Sequence, residues 1–463
     1  MIIFGLVLTF ILGCCLLTCL SSHLKPFEVL GLAFPLGIAA QSFLMVCIDW
    51  IGIRITAASI IIATLLVLIV LAFFIFRKRV KIQEGLRAWV KFDFPALNWA
   101  WFAGLVFLVA VVVMNVSKTL YFPTFDTDSV RGFNIVGKAI AYEGCIHNMS
   151  LFTHEYYQDV MKQAGSYLTY MPLTQLSYAY VYLLGMETSK MINALMFISF
   201  VLAFYGVLRR FCSPFASILT SIFCILTPEM LAFSSLSGTN YIHAIYASLG
   251  IIYLIVWWNN QQDTSMLWIS AALLMCNIWT RNEGLAFIGA ACIVLLYHAI
   301  KTKNYRQLFI YAALCFFPFV FWHIFLKTNH LESVNVIIFK PFYDSAKLSV
   351  IFNEMWILLK STQFYGITFL LFLLVFISNI WNIYKKKDQV VCLFLIIVSW
   401  LFYTILVYQV DYLWDSLENV MRYSYKRFLF SFVPLIWLYI ACNQNTQKLF
   451  TAIDRFIFPT SKK

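Results

Sequence analysis

Charge is what this chain has least of. Only 12% of its 463 residues are Asp, Glu, Lys or Arg, against 62% hydrophobic, and the mean hydropathy is +0.83. A soluble globular domain is about a quarter charged, so that class is excluded. Strand-like alternation of apolar and polar residues is also missing. Apolar runs continue for about 18 residues or more, which excludes a membrane β-barrel and indicates a polytopic bundle of membrane helices. None of the twelve Cys forms a CxxC pair, and most of them, such as Cys14, Cys224, Cys276 and Cys392, sit inside apolar runs. They read as small core residues rather than a disulfide framework or zinc site. Absence of GxxxxGK[ST], GxGxxG and GxSxG leaves ATP, dinucleotide and serine-hydrolase chemistry without a motif. His243, His298 and His323 are scattered, without ligand spacing such as HxxxH. The first twenty residues lack a charged leader, so they read as a first span rather than a cleaved signal.

What is present orders itself around that apolar background. Phe (45) and Tyr (25) are abundant, as suits lipid-facing surfaces and interfacial belts. The +12 net charge lies in short clusters between apolar runs: Arg77 to Lys91, Lys301 to Arg306, and Lys385 to Lys387. This is the positive-inside pattern, and nucleic acid is not expected as a partner. The spans fall at 3–20, 27–49, 56–76, 97–118, 191–208, 215–236, 241–258, 266–280, 285–300, 307–326, 366–384, 389–408 and 428–443. That gives an all-α polytopic fold of about thirteen transmembrane helices. Placing the three basic clusters in the cytoplasm puts loop 119–190 outside. Segment 169–185 must then not span, since otherwise Arg209, Arg210 and the cluster at 301–306 would also face outside. With Met171-Pro172, Thr174, Gln175 and several Tyr, it is expected to lie in or against the outer interface. The N-terminus is then out and the C-terminus in. Neither matching halves nor repeats occur.

Loop 119–190 is the longest interval without a span, and it holds a tight acidic pair, Asp126 and Asp128, just beyond the fourth apolar run. The following residues develop helical spacing through Val130, Phe133, Val136 and Ile140. The pair therefore reads either as an N-cap or as a base or metal ligand at the membrane face. Three more polar clusters share the same predicted side. SSLSGTNYIHA (234–244) is a tight turn whose Asn240, Tyr241 and His243 could line the same cavity. WTRNEGL (279–285) carries Arg281 and Glu283, and guanidinium suits a lipid phosphate. Residues 410–434 carry Arg422, Lys426 and Arg427, either snorkelling to headgroups or holding an anionic ligand. Tyr156, Tyr157, Tyr167 and Tyr170 are available to stack on a sugar or form a lid.

The order of these features resembles the GT-C superfamily of polytopic glycosyltransferases, which includes protein O-mannosyltransferases, lipid A aminoarabinose transferases and oligosaccharyltransferases. FDTDSVRGFNIVGKAIAYEG is similar to the family's first outer loop, where an acidic residue opens a helix ending near a Gly. YMPLTQLSYAYVYLLG resembles its Pro-Leu interfacial segment, MINALMFISFVLAFYGVLRRF the next span, and ILTPEMLAFSSLSGTNY the approach to the second outer loop. NIWTRNEGL resembles its Lys/Arg-x-Glu-Gly turn, and KRFLFSFVP the Arg-aromatic stretch before a final helix. The resemblance divides the chain into additional N-terminal helices and a linker (1–96), a GT-C-like catalytic module (97–300) and C-terminal helices with outer loops 327–365 and 409–427 (301–463).

By its spacing to Gly144, with Arg131 three residues on, Asp128 matches the family's catalytic acid better than Asp126 does. Members that hold a divalent metal place an acidic residue in the second outer loop, where this chain has Asn240. The resemblance therefore favours a metal-free mechanism with no cofactor. It implies inverting transfer of a sugar from a polyprenyl-phosphate donor to a glycan, lipid or protein acceptor. The implied setting is the extracytoplasmic face of the bacterial inner (plasma) membrane. Asp128 would serve as base, and Arg281, Arg422 or Arg427 as phosphate ligand. Two other readings stay open. A transporter or flippase of lipid-linked glycans calls for midplane charges and repeats, and Glu229 is the main span charge found. An O-antigen ligase or polymerase calls for an Arg-rich later loop, and loop 327–365 offers Lys340 and Lys347.

Overall fold

The computed structural model describes residues 1–21, 23–77, 99–153, 169–331, 337–339, 343–412 and 415–457. Continuous apolar sequence satisfies its backbone internally, and the described residues are accordingly mostly helix. In chain order these are α1 (Ile2–Leu20), α2 (Pro26–Trp50), α3 (Ala57–Arg77), α4 (Trp99–Tyr121), α5 (Asn134–Glu143) and α6 (Leu173–Leu183). Next come α7 (Lys190–Leu208), α8 (Pro214–Ile225), α9 (Pro228–Phe233), α10 (Thr239–Asn259), α11 (Thr264–Thr280), α12 (Gly284–Thr302) and α13 (Arg306–Thr328). The last are α14 (Ser345–Lys360), α15 (Thr368–Lys386), α16 (Val390–Gln409), α17 (Leu417–Cys442) and α18 (Gln444–Ile457). One two-stranded antiparallel ribbon pairs β1 (Ile337–Phe339) with β2 (Val410–Tyr412).

Eleven of the described helices are long and apolar enough to cross a membrane. Two of the thirteen expected spans are shorter apolar helices. Expected span 215–236 divides at Thr227-Pro228 into α8 and α9, because Pro228 cannot continue the helix that precedes it. Expected span 266–280 is the 17-residue α11.

Helix α10 occupies the centre and is buried from Thr239 to Trp257, as an all-round apolar helix must be. Around it stand α7, α11, α12 and α17. α2 is packed inside the bundle against α1 and α7 rather than appended to it. By contrast α3, α4, α13 and α15 present large apolar side chains outward, Leu66, Phe73, Met114, Phe309 and Leu370 among them. The α1–α2 crossing depends on two glycines. A Cβ at Gly13 would stand 1.7 Å from the Ala33 carbonyl oxygen, and one at Gly37 would stand 1.9 Å from that of Thr9. Small residues allow this backbone approach. Gly13→Leu is therefore expected to cost about 3 kcal/mol of stability, read as a lowered melting temperature in detergent, with the outward-facing Ile62→Leu as the unaffected control.

Helix α6 is too short to cross a bilayer, at 11 residues or about 16 Å. It differs from the expected interfacial segment in being buried on every side. Its hydroxyls find partners inside the bundle: Tyr178 donates to Asn193 (3.0 Å), Tyr180 to the Gly5 carbonyl (2.9 Å), and Thr174 meets Thr239 (2.8 Å). With internal partners for its hydroxyls, the segment gains nothing by lying on the surface.

Turns gather at two ends of the bundle. One end holds the Arg210–Glu28 pair, the Lys25 ammonium donating to the Arg209 carbonyl (2.9 Å), and the Gln444 N–H donating to Asp388 (2.8 Å). The other holds the loop after α4, the turn before α10 and the turn between α11 and α12.

Candidate active site at one end of the bundle

The chain after α4 is fastened before it reaches the aspartates. Lys190, at the start of α7, donates to the Phe122 and Pro123 carbonyls at 2.9 and 3.1 Å. The turn before α10 is tied to the same region: Asn193 donates to the Leu236 carbonyl (2.6 Å), and Asn115 to Ser234 (2.9 Å). Further on, Asp49 at the end of α2 is buried and accepts from the Ile146 and His147 N–H groups (3.0 and 3.1 Å) and contacts His147 Nδ1 (2.8 Å). Neither Lys190 nor Asp49 stood out in the sequence.

Asp126 and Asp128 then part company. Asp126 caps, accepting from the Ser129 N–H (3.1 Å) and hydroxyl (2.7 Å). Asp128 precedes a π-helical turn, Ser129–Phe133, and its carboxylate meets the Arg427 guanidinium. Both side chains of that pair are 27% exposed. Arg427 itself follows a second π-helical turn, Met421–Tyr425 within α17. An extra residue in a helical turn re-aims the side chains beyond it, and such turns recur at functional sites.

Arg281, in the α11–α12 turn, forks onto Glu283 (Nε to Oε2 3.1 Å) and also donates to the Asn240 side-chain oxygen. Arg281, Glu283, Asp128 and Arg427 all lie within electrostatic reach of half-buried Tyr170. Burial pushes the phenols of Tyr170 and of Tyr412, on β2, upward. Burial also acts to raise the Glu283 carboxyl, but Arg281 more than offsets it and holds it at about 2; Arg281 is raised in turn. A carboxyl lowered on folding adds stability above its unfolded value of about 4.3. That contribution is lost as pH falls from about 4 towards 2. Glu283→Gln is therefore expected to flatten the acid limb of the melting-temperature profile below about pH 4.

The remaining sequence candidates divide. Arg422 is held by Glu354 on α14 in a two-pronged pair (2.9 and 2.8 Å), and its described bonds do not reach Asp128 or Arg281. Lys426 meets the buried Glu229 at 3.0 Å. Tyr241 is packed in the core against Phe197 and Phe200 rather than beside the aspartates. His243 is buried one turn along α10, bonded to Asn277 at 2.9 Å, and its Nε2 has no partner among the described residues. The backbone of Arg131 lies in the first π-helical turn, but its side chain lies outside the described residues, as do Tyr156, Tyr157 and Tyr167.

The site thus brings together two carboxylates, Asp128 and Glu283, two guanidinium groups, Asn240 and phenols at one end of an apolar bundle. Asn240 accepts from a guanidinium, so a cation placed on that oxygen would meet like charge. Chemically the group can take a proton at Asp128 and hold an oxyanion at Arg427 and Arg281. No protein-family model, no curated protein and no solved structure matches the chain.

Proposed function

We propose that this chain is a membrane glycosyltransferase of the GT-C type, moving a sugar from a polyprenyl-phosphate donor to a hydroxyl of a glycan, lipid or protein. The face carrying Asp128 is read as extracytoplasmic, in the inner membrane of a bacterium. One observation carries this reading: Asp128 and Arg427, a base and a phosphate ligand for one reaction, meet across 299 residues of sequence. A donor phosphate arriving at Arg427 would take over the guanidinium from the Asp128 carboxylate. The acceptor hydroxyl then gives its proton to Asp128 while its oxygen attacks the anomeric carbon. The bond from that carbon to the phosphate oxygen breaks on the opposite side, so configuration inverts. Arg427, with Arg281 beside it, stabilises the charge left on the polyprenyl phosphate. Arg422, held by Glu354, is left out of this scheme.

The test is acceptor-dependent release of free polyprenyl phosphate when purified protein meets a lipid-linked sugar. Movement of the intact lipid-linked sugar between leaflets without release would favour a transporter and sink the reading.

A further inference from the structure

We propose a second lipid site in this protein, one that holds an acyl chain of an anionic phospholipid away from the aspartate–arginine site. A cavity of about 600 Å³ lies between α1, α2, α11 and α13, with Val67 of α3 at its edge. Every lining side chain is apolar, Leu16, Ala39, Phe43, Met275 and Leu314 among them. α3 packs on α1 and α2, while α13 packs on α11 and α12, and the cavity occupies the gap between the two groups. Along α11 it runs from Trp268 to Trp279. That is about 16 Å, close to half the roughly 30 Å hydrocarbon core of a bilayer. The size falls within the range of lipid and ligand pockets, and walls without polar groups recognise a hydrocarbon chain.

The ends of the cavity differ, and the difference chooses the occupant. Towards the aspartate–arginine site its lining along α11 ends at Trp279, whose Nε1 donates to Ser42 (2.9 Å) and whose ring meets Phe321 and Trp322. Towards the other end its lining reaches Ile310, one turn from exposed Arg306 in the turn that also exposes Lys301 and Lys303. The acidic groups described at that end are already engaged: Asp263 accepts from the Ser265 N–H (3.1 Å) and hydroxyl, Glu28 from Arg210 and Asp388 from the Gln444 N–H. A phosphate held by Arg306 is separated from Arg281 by the 19 residues of α12, about 28 Å. The occupant is therefore not a sugar donor poised at Asp128 but a phospholipid of the opposite leaflet, with its negative headgroup on the basic turn.

The experiment counts phospholipid retained by the purified chain after exhaustive detergent exchange, with phosphatidylglycerol, phosphatidylcholine or a polyprenyl phosphate added back. The expected result is retention of phosphatidylglycerol over phosphatidylcholine, lowered by Ala272→Trp, whose ring intrudes on the middle of the cavity. Arg306→Gln should lower affinity about fivefold, as loss of one surface cation does. Should Ala272→Trp fail to fold, Arg306→Gln and Lys301→Gln, both at exposed positions, decide the matter. Equal retention of the two phospholipids, preference for the polyprenyl phosphate, or undiminished retention by folded Ala272→Trp would each overturn the proposal.

Discussion

Asp128→Asn is expected to lower turnover of a lipid-linked sugar by about 10²–10⁴, the usual contribution of a positioned general base. The substitution keeps shape and removes the charge that, in the proposed mechanism, accepts the proton. Because Asp128 and Arg427 are each 27% exposed, losing their attraction costs little stability, since water and salt already weaken such pairs. The melting temperature should therefore hold while the maximal rate collapses. Donor affinity should hold or rise, since Arg427 no longer has a carboxylate competing with the incoming phosphate. Asp126→Asn gives the contrasting pattern. Its carboxylate accepts from the Ser129 N–H and hydroxyl, so the loss is that of a capping charge, within about 1 kcal/mol, and turnover changes little. Measuring release of polyprenyl phosphate beside thermal unfolding separates the two aspartates. If Asp126→Asn is the variant that loses turnover while Asp128→Asn keeps it, the roles assigned to them are exchanged.

The long helices were legible because their signal is local: each is a run of apolar residues longer than a bilayer needs. Breaks within such runs are less legible. Pro228 splits α8 from α9, but hydropathy continues across it. At the other extreme α17 begins at Leu417, eleven residues before the apolar run read at 428. The polar stretch carrying Arg422, Lys426 and Arg427 becomes helical because Glu354, Glu229 and Asp128 each take one of its cations. Those partners lie on three other segments, and no periodicity can report them. Spacing did bring Asp128, Arg281, Glu283, Asn240 and Arg427 into view, since each stands at the edge of an apolar run on the same predicted side. It could not separate Tyr241 from its neighbours, because which face of α10 looks inward depends on Phe197 and Phe200 of α7. Lys190 and Asp49 were hidden as ordinary span-end residues, and only tertiary structure shows what they fasten.

Glu28→Ala is expected to destabilise the protein by about 3–5 kcal/mol, the cost of stripping one partner from a buried ion pair. Glu28 is fully buried near the start of α2, in a sequence otherwise apolar enough to pass for lipid-facing. It accepts from Arg210 at 2.8 Å on each oxygen, from Tyr253 at 3.1 Å and from the Lys25 N–H at 2.7 Å. Three elements, α2, α10 and the turn after α7, therefore close on one carboxylate. Truncation leaves the Arg210 guanidinium with Lys25 beside it, and removes the acceptor of the Lys25 N–H at the start of α2. Glu28→Met with Arg210→Met should recover much of the loss, because two apolar side chains need no partners. A melting series across the two single variants and the double variant gives the coupling directly. The pair stands at the end of the bundle away from Asp128, with α7 and α10 running between. Its removal should therefore lower the yield and melting temperature of the folded chain, while the molecules that do fold keep their rate per site. A fall in rate per folded molecule would instead mean that the two ends of α10 are mechanically coupled.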